Sequence, residues 1–415
     1  MKDYVYRYSL LSGYGCKMTD IKLSPDQESA MAAVLDNPTQ NFFITGSAGT
    51  GKSLLLSKLQ EILRCPITAS TGIAAVGVGG VTLHSYLGVG LANGTAPECL
   101  RDARKYARRR YIIRDLIVDE ISMLSAEFLD KIDMVTRYVR GNHDMPFGGI
   151  RLIMFGDFMQ LSPVAGNFAF TSGFWNTVKT IQLTTVHRQK DAKFIKMLQQ
   201  VRMGNLTRST LDAINSRMVS PDEKTKVSSL LLRSRNDEVD AINAHGLSLL
   251  QGEEKTFTSF DSGTLTHLTH LHAGSILSLK AGARVMLLTN LNVSEKLCNG
   301  SCGTTLEFSD NHIIIKFDSG NTVAITKHLF KIVINKTLVA SRLQFPLRVA
   351  YAVTIHKSQG MSLDAADIDF SNIFTAGQAY VALSRVRSLE GITLHGFSLE
   401  KILINHEARD FYNNL

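Results

Sequence analysis

NFFITGSAGTGKSLLLSKLQEIL, residues 41–63, joins three textures in one run. The apolar stretch 41–45 predicts a buried strand, and 54–63 repeats leucine at helical spacing. Between them stand Gly46, Ser47, Ala48, Gly49, Thr50, Gly51, Lys52 and Ser53, the pattern G-x-x-x-x-G-K-[ST]. Glycines let backbone N–H groups turn inward around phosphate oxygens, and the following helix adds the positive end of its dipole. Lys52 then reaches the β- and γ-phosphates, and the Ser53 hydroxyl is placed to ligate Mg²⁺. A strand-loop-helix context makes this pattern a phosphate loop rather than a glycine-rich turn.

Outward from that loop, residues 66–69, 116–118 and 151–155 read as further apolar strands, with a helix over 125–139. Ser24-Pro25-Asp26 has helix-start chemistry, an N-cap Ser followed by Pro at the first helical position. Near-continuous apolar strands alternating with helices predict a parallel sheet covered on both faces. Leu116-Ile-Val-Asp119-Glu120 delivers two carboxylates at a strand end, Asp119 to hold Mg²⁺ and Glu120 to take the proton of an attacking water. A third strand ends in Gly156-Asp157-Phe158-Met159-Gln160, where Gln160 either orients that water or simply closes a turn. A second α/β set follows at 229–232, a helix over 236–250, then 348–354 and 377–384. Strands at 303–308, 312–317 and 322–326, with Ile313, Ile315 and Phe317 alternating, predict an inserted antiparallel β-barrel.

Composition narrows the class. The chain has 415 residues, 45 Lys+Arg against 37 Asp+Glu, and 44% hydrophobic residues, as ordinary globular domains do. No apolar run approaches the roughly 18–20 residues of a membrane span. The first 20 residues show no secretory pattern and read as a loose extension, with Met18 an alternative start. Five scattered cysteines predict a reducing compartment, and Cys298 and Cys302 lack a second pair for zinc. Arg101, Arg104, Lys105, Arg108, Arg109, Arg110 and Arg114 face one acid, Asp102; the run fits a solvated helix face or a phosphate-contacting surface. Arg188 and Arg385 are cations of the kind a second domain supplies to a nucleotide, or else surface ion-pair partners.

Beyond the phosphate loop, seven blocks carry a resemblance. GSAGTGKS, ASTGIAAVGVGGVTLHSYLGVG (69–90), VDEISML (118–124), GGIRLIMFGDFMQLSPV (148–164), TTVHRQKDAKFIKMLQQVRMGN (184–205), AVTIHKSQGMSL (352–363) and GQAYVALSRVRS (377–388) resemble the petite integration frequency (Pif-type) DNA helicases of superfamily one. The blocks run in the family's order from about residue 23 to 397. His187, where the family usually has Phe, and Ser162, in place of the first of two prolines, depart from it.

The resemblance implies an α/β fold: two RecA-like P-loop NTPase domains with a small wedge insertion and an inserted SH3-like β-barrel. The expected limits are 21–185 for the first domain with the wedge at about 85–113, 186–265 and 341–415 for the second, and 266–340 for the barrel. It implies ATP and Mg²⁺ as cofactors and a single-stranded DNA translocase of 5′-to-3′ polarity acting on forked duplexes in replication, repair or recombination. It places Gln27 on adenine, Gly360 beside the nucleotide, Arg188 and Arg385 on the γ-phosphate, and Thr71, His84, His356 and Lys357 on DNA. Tyr86 and Phe158 are candidates for stacking on bases, Phe158 with buried packing as the stronger reading. A monomer is expected, intracellular, in a bacterial or virus-infected cytoplasm or a nucleus. The competing readings are a P-loop phosphotransferase acting on a small molecule and a nucleotide-switched DNA-binding protein.

Overall fold

Phe42 and Ile44 fall on one side of their strand and Phe43 on the other, and all three are buried, so this strand needs cover on both faces. It is β1 (Asn41–Gly46), and its companions are β2 (Ile67–Ala69), β3 (Val81–Thr82), β4 (Asp115–Asp119), β5 (Arg151–Gly156) and β6 (Val178–Leu183). The computed structural model describes residues 22–415 except 91, 93, 106–110, 220–228, 265–267, 269, 270, 272, 290, 293, 294, 296, 298, 335 and 336. The N-terminal extension with Met18, the arginines at 108, 109 and 110 of the basic run, and Cys298 therefore lie outside the described residues.

The six strands form one parallel sheet in the order β3–β2–β4–β5–β1–β6. Helices α1 (Pro25–Asp36) and α2 (Lys52–Leu63) lay Ala30, Val34, Leu55, Leu56 and Leu59 on one face. Next come the short α3 (Gly72–Gly77) and α4 (Leu83–Leu87), α5 (Ala96–Arg104) and α6 (Ala126–Arg140). Leu129, Ile132 and Val135 of α6 cover the other face. The start of α1 follows its sequence: Ser24 N–H donates to Gln27 Oε1 at 3.0 Å, and Pro25 opens the first turn. α6 also braces the insertion between β3 and β4. Lys131 Nζ donates to the Ala92 and Gly94 carbonyls at 2.6 and 2.8 Å, and Arg140 Nη1 to that of Ile113 at 2.9 Å. Tyr86 packs beneath this insertion at 1% exposure, and Phe158, equally buried, sits among Phe43, Phe168 and Trp175. Neither ring is available to stack on a base, which corrects the expectation for Tyr86.

The chain then passes through α7 (Ala192–Met203) and α8 (Arg208–Asn215) to a second parallel sheet. That sheet joins β7 (Leu230–Arg233) to strands 352–354, 366–369 and 392–395. Its first crossover is α9 (Asn236–Ser248), and an antiparallel insertion follows it. The insertion holds β8 (Lys255–Thr258), β9 (Phe260–Gly263), β10 (Ile276–Leu279), β11 (Arg284–Leu287), β12 (Cys302–Phe308), β13 (His312–Phe317), β14 (Thr322–Thr326), β15 (His328–Ile334), β16 (Thr337–Gln344) and β17 (Leu347–Val349). Five of these form the sheet β14–β13–β12–β11–β17, whose core includes Ile313, Ile315 and Phe317. Antiparallel pairing thus begins before residue 266 and ends after 340. The expected strand at 348–354 is two strands in different sheets: β17 antiparallel to β11, and β18 (Ala352–Thr354) parallel to β7. A bend at Ala350 and Tyr351 separates them. Strands β19 (Ala366–Asp369) and β20 (Ile392–His395) complete the second sheet. α10 (Gln378–Ser384) packs beside it, and α11 (His406–Asn413) returns to the first lobe, where Phe411 meets Phe170 and Phe158.

Candidate active site

The phosphate-loop residues, Asp119, Glu120 and Gln160 all lie at or just past the carboxyl ends of adjacent strands β1, β4 and β5, where open α/β sheets place their ligands. Gly49 and Gly51 have φ of 86° and 77°, so the loop takes a path that glycine alone follows without strain. Lys52 Nζ donates to the carbonyls of Gly46 and Ser47 at 2.7 and 3.1 Å. Gln27 is buried against the same loop, donating to the Thr50 carbonyl at 3.0 Å. Glu120 has φ 51°, a left-handed backbone that a side-chain-bearing residue seldom adopts, immediately after the strand.

The second lobe closes over this edge. Tyr380 of α10 accepts a hydrogen bond from the Ala48 N–H at 2.8 Å. Arg385, 2% exposed, donates to the Val381 carbonyl and to Ser384 Oγ at 2.9 and 2.8 Å. Arg188 lies in the connection between lobes, donating to Ser362 Oγ at 2.8 Å and the Ser384 carbonyl at 3.0 Å. Every hydrogen bond described for Lys52, Arg188 and Arg385 goes to a neutral oxygen. Burial, with Arg385 nearby, presses the Arg188 guanidinium down to about 9, and burial lowers Arg385 as well. Cations held this way favour an anion among them.

A cavity of about 1260 Å³ runs from this edge across both lobes, lined by Ser53, Asp119 and Glu120 on one side and Gln359 and Gly360 on the other. Glu120 Oε2 and Gln359 Nε2 are buried there, and among the described residues neither makes a hydrogen bond of ordinary length. Burial, then the neighbouring Glu120 charge, pushes the Asp119 carboxyl up to about 7, and burial raises Glu120 too. Two crowded carboxylates beside a serine hydroxyl are the hard oxygen donors that Mg²⁺ takes, so the residues fit that ion.

The cavity continues past Thr71 of the first lobe and His356 and Lys357 of the second, which the structure brings to its lining. His84 is not with them: it stacks on Phe128 of α6, ring centroids 4.1 Å apart. Gln160, Lys52, Arg188 and Arg385 are not among the residues that line the cavity. Sequence reading missed Asp157, Arg202, Gln189, Gln359 and Tyr380. Asp157 and Arg202 form a buried ion pair at 2.6 Å, and Gln160 Nε2 donates to Asp157 Oδ2 at 3.3 Å. Gln189 Nε2 donates to the Ser384 and Val386 carbonyls at 3.1 and 2.9 Å, joining the connection to the end of α10. His187 keeps its place by a backbone bond, its N–H donating to the Gly49 carbonyl at 2.8 Å.

This geometry coincides with a family match. The sequence model of the PIF1-like helicases covers residues 22–212, and that of the DNA helicase Pif1 2B domain covers 270–308. The ATP-dependent DNA helicase Pif1 of Bdellovibrio bacteriovorus is 35% identical over 95% of this chain and 92% of its own length. The chain belongs to the Pif1-like helicase family. The ATP-dependent DNA helicase PIF1 of Xenopus laevis is 38% identical over 95% of the chain, which spans only 65% of that longer relative. Among solved Pif1 structures, that of Bacteroides sp Pif1 in complex with ADP-AlF4 is 30% identical, with a TM-score of 0.83, covering 95% of this chain and 97% of the other.

The Asp119 carboxyl carries a pH signature. Its folded value near 7 lies above the ordinary 3.8, so as pH rises the unfolded chain loses this proton first. The group's contribution to stability therefore falls between about pH 4 and 7 and is constant above. Asp119→Asn lacks this term, so in urea unfolding the wild type should lose stability relative to the variant between about pH 5 and pH 8. Equal differences at both would place the carboxyl in its ordinary range.

Proposed function

We propose that this chain is an ATP-dependent DNA helicase, hydrolysing ATP to move 5′-to-3′ along single-stranded DNA and to open forked duplexes in replication, repair or recombination. One observation carries the reading. Lys52 from one lobe and Arg385 from the other both feel the Glu120 charge, Arg188 stands close enough to Arg385 to be repelled by it, and among the described residues every hydrogen bond of the three goes to a neutral oxygen. A triphosphate seated there answers all three cations at once, and its loss leaves them to repel one another.

In this reading the backbone of Gly46, Ser47, Ala48, Gly49, Thr50 and Gly51 cradles phosphates, and Lys52 exchanges its loop carbonyls for phosphate oxygens. Ser53 and Asp119 would hold Mg²⁺, which neutralises charge on the phosphates when bound. Glu120, whose raised carboxyl is an avid proton acceptor once ionised, takes the proton of the attacking water. Gln160 orients that water, Gly360 approaches the nucleotide from the second lobe, and Gln27 reads adenine by giving up its bond to Thr50. Arg188 and Arg385 make lobe closure depend on the γ-phosphate, which turns hydrolysis into motion. Thr71, His356 and Lys357 grip DNA along the cavity wall, with His84 in the same role after leaving Phe128. The domain limits given above other than those of the barrel, the reading of the antiparallel sheets as an SH3-like barrel, the monomeric state and an intracellular location belong to the same proposal. Among the described residues no helix is long and apolar enough to cross a membrane.

Forked duplexes with a single 5′ or 3′ tail test the reading. Strand separation requiring ATP and the 5′ tail is expected, with binding that weakens steeply with salt. Opening only from the 3′ tail would reverse the direction, and ATPase activity indifferent to single-stranded DNA would favour a small-molecule phosphotransferase.

A further inference from the structure

The last helix of the chain reaches into the nucleotide edge of the first lobe. Tyr412, on α11, sets its hydroxyl 2.6 Å from Thr45 Oγ1, the residue before the phosphate loop. The same hydroxyl accepts the Phe158 N–H at 3.1 Å, inside the loop that carries Gln160. The Arg202 guanidinium lies over the Tyr412 ring, 4.5 Å from its centroid, while holding both oxygens of Asp157 at 2.6 and 3.1 Å. Asp157 in turn accepts from Gln160 Nε2 and from the Met159 N–H. Phe411 stacks on Phe170, centroids 4.6 Å apart, and fixes the helix against the first lobe.

From this arrangement we infer that Tyr412 is a positioning residue for ATP hydrolysis: its hydroxyl sets the spacing between the phosphate loop and the loop that bears Gln160. The inference rests on the ATPase reading above. Thr45 lies near the end of β1 and Phe158 two residues past the end of its neighbour β5, and β-ladder bonds end at Thr45 paired with Gly156. Beyond that pair the ladder no longer joins the two chains, and the tyrosine hydroxyl ties the residue before the phosphate loop to the Gln160 loop. Such a bridge holds Gln160 in register with whatever the phosphate loop binds. Losing one bond of this kind changes a rate constant by about fivefold when the bond is better made in the reacting complex.

The test compares the full-length wild type with Tyr412→Phe, which keeps the ring over Arg202 and removes the hydroxyl. ATPase is measured with saturating single-stranded DNA, at a temperature where circular dichroism shows both proteins folded. We expect kcat about fivefold lower with the KM for ATP within twofold. Thr45→Val should lower kcat comparably, and the double variant should be no worse than the more impaired single variant, because both remove one bridge. An unchanged kcat in Tyr412→Phe, or single effects that multiply in the double variant, would overturn the inference while leaving the ATPase assignment standing. A wild type without DNA-stimulated ATPase would overturn both.

Discussion

Glu120→Gln is expected to lower ATP turnover by about a hundred- to ten-thousand-fold, the range for loss of a general base, while nucleotide binding survives. The residue is half-buried, its Oε2 is shielded from solvent without a hydrogen-bond partner among the described residues, and burial raises its carboxyl despite Lys52 and Arg385. The amide keeps the shape and removes the charge. Since Glu120 is also what helps to raise Asp119, its neutralisation lets Asp119 ionise at lower pH, so Mg–nucleotide affinity should hold or improve. The left-handed backbone at this position costs Gln and Glu alike, so stability should change little from strain. Equilibrium binding of a fluorescent ATP analogue beside steady-state ATPase separates the two effects. Normal strand separation by this variant would remove Glu120 from the chemistry.

Breaking the Asp157–Arg202 pair should have the largest effect on folding. Arg202 is 4% exposed and Asp157 fully buried, and the pair holds Asp157 ionised against the cost of burial. Arg202→Ala strands that carboxylate in the interior, strips the cation from the face of Tyr412 and leaves a cavity, so a loss of about 3–5 kcal/mol is expected. Chemical denaturation of both proteins checks it. Replacing both partners, Asp157→Leu with Arg202→Met, removes the stranded charge and should recover much of that stability. It should not recover ATPase, because Gln160 then has lost its acceptor. A double variant as active as wild type would reduce the pair to packing.

These two sites mark what could and could not be read along the chain. The phosphate loop and Asp119-Glu120 were legible because each is a contiguous pattern whose chemistry depends on neighbours in sequence. Ile313, Ile315 and Phe317 were legible for the same reason, their two-residue period being a direct image of one buried face. Tyr380 and Tyr412 were not, since they meet their partners across 332 and 367 residues and no local pattern marks such a meeting. Tyr86 was misread because a single aromatic residue carries no period, and α4 turns it into the core together with Leu83 and Leu87. The strands at 255–258, 260–263 and 276–279 were overlooked because each is only four residues long, too brief for a period to show. At 348–354 one apolar run hid a change of sheet, since burial alone does not tell antiparallel from parallel partners.

The antiparallel insertion leaves and rejoins the second lobe within a single β-α-β crossover. β7 and β18 are ladder neighbours, and Asn243 of the intervening helix binds the outgoing leg directly, donating to the Ala352 carbonyl and accepting from the Tyr351 N–H. A whole module of ten strands therefore hangs where compact α/β proteins usually spend two to six residues of loop. The second sheet therefore closes without it, while Ile332 and Ala340 of the module pack into the core of the first lobe, so the appendage is a strut between the two halves rather than a free end.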